Sequence, residues 1–222
     1  MPAPSSVAAL TALGRVRLSE HFFMRDMLYS EVANFHGMPN MPDDPELAIA
    51  AGTRLCEEIL EPLHSAFGHV TIRSAFRSER VNGLCHARHA ELTAQGVADT
   101  AYYCSDNDYS RARHIWDRRD AAGHMGATAS LVISWYLPRF EATGDARPLA
   151  WWIHDHVPAY SQMQFFPWLC AFNIRWYECP SRKPIMIDHG RDDTLLTDLD
   201  QANFHEDHRA HYAGFPTPAA AT

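Results

Sequence analysis

At 222 residues, with 46% hydrophobic and 11% aromatic side chains, the chain is long enough for one domain with a substantial core. A net charge of −8 and the lack of a long basic block argue against a nucleic-acid or membrane-surface partner, leaving only a local basic patch at Arg111, Arg113, Arg118 and Arg119. Five cysteines without a CxxC pair argue against a disulfide scaffold and for a reducing compartment, and no apolar run reaches the length of a transmembrane helix.

Residues 1–17 are rich in small side chains and read as a loose leader. The stretch MPAPSSVAALTALGRVRLSEHF has no charged region followed by a continuous apolar one, so no signal peptide and a cytoplasmic location are expected. A phage-encoded or otherwise released protein is compatible with that. In LSEHFFMRDMLYSE, Ser19 is placed to cap a short helix with Phe22, Phe23, Met27 and Leu28 inward. MPNMPDDP is a loop. Asp43 or Asp44 can cap the next helix, with Pro45 at its first position. There Leu47, Ala51, Leu55, Ile59 and Leu63 recur every four residues and mark one buried face, Pro62 ends or kinks the helix, and Gly68 stops it.

HVTIRSAFRS alternates as a strand. Residues 82–110 form a long polar connection. ATASLVISWY is a second apolar strand, and RPLAWWIHDHVP is a helix with Leu149, Trp152, Ile153 and His156 on one side, ended by Pro158. YSQMQFF and CAFNIRWYE close the sheet. Residues 188–222 read as a polar, disordered tail. The expected architecture is α+β, a small, mostly antiparallel sheet flanked by helices, with the domain at 18–187.

The entry segment through MPNMP, the LCEEILEPLHSAFG helix and the strand TIRSAFRSERVN, taken in that order, resemble the zinc D-Ala-D-Ala carboxypeptidases and related peptidoglycan peptidases. These share the Hedgehog-type fold, and the resemblance covers roughly residues 18–187. It implies a metal-dependent peptidase acting on a carboxylate-bearing peptide, with zinc as cofactor. The family's Ser-Gly-Tyr-Arg-Ser pattern and later Asn correspond to Ser74, Ala75, Phe76, Arg77, Ser78 and Asn82. By resemblance Arg77 binds the substrate carboxylate, as a planar guanidinium fork can; Ser74 and Asn82 lie beside it. An Arg at a strand end paired with a nearby acid is the plainer reading.

The family's zinc motif, Ser-x-His-x-x-Gly-x-Ala-x-Asp, has two placements. One uses His89 and Asp99, with Gly96 and Ala98 between them but three residues too many. The other uses the 123–130 strand, where Gly126 and Thr128 fit, Gly123 replaces the His and Ser130 replaces the Asp. In the closing Trp-x-His hairpin, Asn173 stands where the His belongs and Gln164–Phe165–Phe166 where the Glu belongs. An amide oxygen is a weak zinc donor, and Phe moves no proton. The zinc site as the family builds it is therefore absent in that register.

Other residues could rebuild a site. HIWDRRDAAGH gathers His114, Asp117, Arg118, Arg119, Asp120 and His124. If helical, His114 and Asp117 share a face, as do Asp117 and Asp120; the two arginines and two aspartates beside Trp116 could equally form a structural ion-pair network. WWIHDHVP puts His154, Asp155 and His156 at a helix end. The metal candidates are His154, His156 and His114, and the catalytic candidates are Arg77, His114, Asp117 and Asp120. Ser74, Asn82, Asn173 and Arg77 are the substrate-binding candidates. His205, His208 and His211 share a helical spacing in the tail. Cys56 reads as core, while Cys85 and Cys104 lie near a His or an Asp with no activating base evident locally. The alternative reading is a catalytically inactive descendant of the fold that binds a peptide, a small carboxylate or another protein.

Overall fold

The computed structural model describes residues 3–97, 103–104, 114–179, 183–190 and 192–217. Helix α1, Val7–Gly14, is capped by the Ser6 side chain and sinks Leu13 fully into the core. The expected leader thus carries a docked helix, because one long apolar side chain in it finds a buried seat. Two short helices follow, α2 (Met24–Met27) and α3 (Glu31–Phe35). Ser19 does not cap α2. Phe23 holds the capping position and is exposed, while Phe22, Met24 and Met27 fill the core.

Helix α4, Pro45–Leu55, starts as its sequence predicts: Asp44 Oδ1 accepts the Leu47 N–H at 3.1 Å, and Pro45 opens the first turn. Its buried face is Ala48, Ala51, Gly52 and Leu55, with Leu47 only half-buried. Gly52 is needed for close approach, since a Cβ there would lie 3.0 Å from Cζ3 of the buried Trp116 ring. Pro62 does not end the helix, but the regular winding is interrupted just before it. Pro62 has no N–H for the Glu58 carbonyl. The chain widens into a π turn at Cys56–Leu60, with the Glu61 N–H on Cys56 O, and continues as α5, Glu61–Phe67. Gly68 stops it at φ +75°.

Strand β1 is Val70–Ser74. The connection expected over 82–110 begins inside a helix, α6, Glu79–Ala94, capped by Ser78. Only Val81, Asn82 and Cys85 of α6 are buried. A helix polar nearly all round gives no apolar period to read. Then come β2 (Gly126–Ile133), α7 (Leu137–Thr143), α8 (Arg147–His156), β3 (Gln162–Phe165), β4 (Phe172–Tyr177), β5 (Ile185–Asp188) and β6 (Asp193–Thr197). The fold is α+β. Its single six-stranded sheet runs β1-β2-β4-β3-β5-β6, antiparallel except where β5 lies parallel to β3. The region expected as a disordered tail therefore supplies the last strand. It also buries Thr197, Asp198 and His208 and adds Tyr212 to the core.

The sheet has two unlike faces, because side chains alternate along a strand. Ala127, Ala129, Leu131 and Ile133 of β2, Phe172, Ile174 and Trp176 of β4, and Met163 and Phe165 of β3 share one core with α4, α5 and α8. Trp176 Nε1 donates to Glu58 Oε2 at 2.8 Å and so marks this as the helix-covered side. Thr128, Ser130, Asn173, Arg175, Gln162 and Gln164 point the other way. Among the described residues no helix is long and apolar enough to cross a membrane.

Candidate functional site: a polar row across the sheet

Strand pairing places Ser74 opposite Ser130, Ser130 opposite Asn173, and Asn173 opposite Gln164. Directly paired residues hold their Cβ atoms about 5 Å apart. Four neutral polar side chains from β1, β2, β4 and β3 thus form a continuous row. A second row, Thr128–Arg175–Gln162, lies beside it. Thr128 is 3% exposed, and its hydroxyl has no hydrogen-bond partner among the described residues. Three positions that the sequence singled out for the family's zinc chemistry, Ser130, Asn173 and Gln164, are therefore brought together.

At the β1 end the row meets Arg77. The guanidinium Nε donates to Ser74 Oγ at 3.1 Å, and the Arg77 N–H donates to His114 O at 2.8 Å. Neither terminal nitrogen of Arg77 makes a hydrogen bond with a described residue, so a two-pronged donor stays available beside the row. His114 is buried. Its Nδ1 donates to Ala75 O at 2.6 Å, since a carbonyl only accepts, which fixes the ring against the turn that carries Arg77. Asn82 is buried on α6 and accepts from Cys104 Sγ at 3.6 Å on both its side-chain and backbone oxygens. Sequence reasoning left Cys85 without an activating neighbour. A hydrogen bond from Cys104 and the charge of Arg77 outweigh burial and bring its thiol down to about 6. The two cysteines are far apart in sequence and in no recognisable spacing, so nothing local signalled the pair.

Asp117 and Asp120 do not join this site. Residues 114–125 form turns, not the helix that would have put them on one face. Asp120 Oδ1 accepts the N–H groups of Ala122 and His124, a local turn that competes with a helix. Its Oδ2 takes the Tyr177 hydroxyl. That bond and the backbone donors hold the carboxyl at about 2. Asp117 is buried, which raises its carboxyl above the usual range, and Oδ2 accepts the Asp43 N–H at 2.7 Å at the entrance to α4. Instead of a buried network, Arg118 reaches Asp43 (2.9 Å) and Glu79 (3.3 Å) at the surface, and Arg119 reaches Glu178 at 3.7 Å.

The metal candidates do not converge either. His156 Nδ1 bonds to Trp152 O at 2.9 Å and its ring lies on Trp152, while His154 faces Tyr160 and Phe204. Residues two apart on a helix point in different directions. Among the described residues, two groups of three or more donor side chains lie close together, His154–Asp155–His208 and His21–Glu61–His64, and neither contains His114 or His156. The second was not anticipated, although Glu61 and His64 are one turn apart on a predicted helix.

Zinc at the family's position does not fit the residues of the β2 register. Ser130 and Asn173 offer a hydroxyl and an amide where zinc takes carboxylate and imidazole. In the other register His89 lies half-buried on α6, and Asp99 is outside the described residues. Comparison with protein-family models, curated proteins and solved structures returns no match.

Proposed function

We propose that the chain binds a carboxylate-bearing ligand, such as the free C-terminus of a peptide, at Arg77 and along the polar row. On this reading the scaffold is that of the D-Ala-D-Ala peptidases, used for binding and not for zinc hydrolysis. The observation that carries it is Arg77 itself, anchored through Nε to Ser74 while its two terminal nitrogens have no partner among the described residues. A guanidinium in that state matches a carboxylate with two parallel hydrogen bonds. Ser74, Asn173 and Gln164 supply neutral donors and acceptors for a peptide backbone. The order of long helix, β1, Arg77 turn, β2 and the β3–β4 hairpin is what the resemblance implies, and the hydroxyl and amide at Ser130 and Asn173 favour binding over metal catalysis.

Calorimetry with a peptide ending in D-Ala-D-Ala and with its C-terminal amide tests this directly. The free acid binds and the amide does not. Arg77→Ala weakens binding by roughly tenfold to a hundredfold, the loss of one charge-assisted contact of about 1.5–3 kcal/mol. Equal affinity for acid and amide sinks the carboxylate assignment. Zinc-dependent cleavage of the peptide sinks the non-hydrolytic one.

A further inference from the structure

Glu61 and His64 are one turn apart on α5, so their side chains share a face. The π turn immediately before them inserts a residue and resets the angle at which that face is presented; π turns recur at functional sites. His21 comes from a different part of the chain. Its segment is folded back by the Leu18 N–H on Phe22 O (2.9 Å) and by the Arg17–Phe23 bridge. One donor atom from each of His21, Glu61 and His64 lies within 4.8 Å of the other two.

The carboxylate is aimed. Glu61 Oε1 accepts the Ser19 hydroxyl at 2.6 Å and the His21 N–H at 2.7 Å, which leaves Oε2 facing His21 Nδ1 at 2.7 Å. The His64 ring stacks on His21 at 4.0 Å and meets the edge of Phe22 at 6.1 Å. Among the described residues, neither ring nitrogen of His64 is hydrogen-bonded. Burial alone would raise the Glu61 carboxyl, but the hydrogen bonds from Ser19 and His21 outweigh it and keep it below the ordinary range, hence ionised at neutral pH.

We propose that His21, Glu61 and His64 form a binding site for a divalent transition-metal ion, with zinc the best match. Two imidazoles and one carboxylate are a donor set zinc accepts, and water completes the coordination. Metal–donor bonds of about 2.0–2.2 Å set neighbouring donors roughly 3.3 Å apart in a tetrahedron, against separations of no more than 4.8 Å here. The ion takes the place of the proton between His21 Nδ1 and Glu61 Oε2, and the metal-bound ring is a neutral imidazole that carries its N–H on Nε2. His21 is 44% exposed, so an ion has a path in. Ser19 is a positioning residue, holding the carboxylate through the oxygen the metal does not use. The site belongs to the helical layer, on the side of the sheet that carries the core, and is separate from the row at Arg77.

The test is titration of the metal-stripped full chain with zinc alone, followed by equilibrium dialysis and by imidazole NMR signals. One zinc binds per chain. The His21 and His64 signals shift, and those of His154 and His208 stay. His64→Ala and His21→Ala each weaken binding at least about tenfold, Ser19→Ala weakens it by about tenfold, and His205→Ala leaves it unchanged. The NMR readout uses the unaltered protein, so it stands even where a variant fails to fold. No zinc uptake, uptake undiminished in His64→Ala, or shifts at His154 and His208 instead would overturn the site.

Discussion

At the end of α8, His154, Asp155 and His208 lie as close together as His21, Glu61 and His64 do at α5. Each is two histidines and one carboxylate; the lone pairs left over differ. His208 Nδ1 meets Asp155 Oδ1 at 2.8 Å and Nε2 meets Asn203 O at 2.7 Å. The ring is thus engaged at both nitrogens, and it stacks on Trp151 at 3.8 Å. His154 Nε2 donates to Phe204 O at 2.9 Å, and Nδ1 accepts from the Tyr160 hydroxyl at 2.6 Å. Tyr212 donates to Asp155 Oδ2 at 2.7 Å. Every ring nitrogen in that cluster is already bonded, and the His154–Phe204 and His208–Asp155 bonds hold the C-terminal segment against α8. At α5 only the His21–Glu61 pair is made and His64 is spare. Proximity of metal donors makes a site only where the donors have no other occupation.

The contrast can be broken most forcefully at Asp155. Asp155→Ala leaves the His208 ring, 3% exposed, without its Nδ1 partner and releases the Tyr212 hydroxyl. Stability falls by about 3 kcal/mol, two hydrogen bonds to a carboxylate at roughly 1.5 kcal/mol each, read by denaturant unfolding. A loss under 1 kcal/mol would mean that the staple is decorative. Zinc gives the next largest effect. At free zinc about 100 times its Kd the unaltered protein gains about 2.7 kcal/mol, visible as a raised Tm, and His64→Ala gains at most about 1.4 kcal/mol. Without metal, Ser19→Ala costs about 1 kcal/mol for the lost hydrogen bond to a carboxylate and leaves the α8 cluster untouched.

The smallest effect concerns pH. Burial lowers the pKa of His154, and the Phe204 carbonyl offsets this only in part. Below about pH 6.5 the unfolded chain takes up a proton that the folded His154 refuses, so stability falls as pH drops through that value. In His154→Gln the slope between pH 7 and 5 is shallower by a fraction of the roughly 1.4 kcal/mol per pH unit that one proton gives. An unchanged slope would place the titration elsewhere.

Much of the frame was legible. Asp44 and Pro45 announce α4, alternation announces β1 and β4, an apolar run announces β2, and Pro158 follows the end of α8. The errors have physical causes. The α6 helix buries too few residues to show a period. Strand β6 is mostly exposed and exists because β5 offers it an edge. The 114–125 segment has helical spacing of charges, but Asp120 bonds to its own backbone and turns the chain. Of the candidate site, Arg77, Ser74, Ser130 and Asn173 were identifiable as positions. The thiol pair and His21 were not, since their partners lie far along the chain.

Local periodicity alone determined that Asn173 and Arg175 turn away from Phe172, Ile174 and Trp176, and that Glu61 and His64 share a side, because successive side chains follow the geometry of their own backbone. Tertiary structure alone decided that Ser130 stands opposite Asn173, that His21 reaches Glu61 and that His208 closes on Asp155. Those meetings join residues tens of positions apart. They follow from how the strands pair and the helices bury their apolar sides, which no single segment encodes.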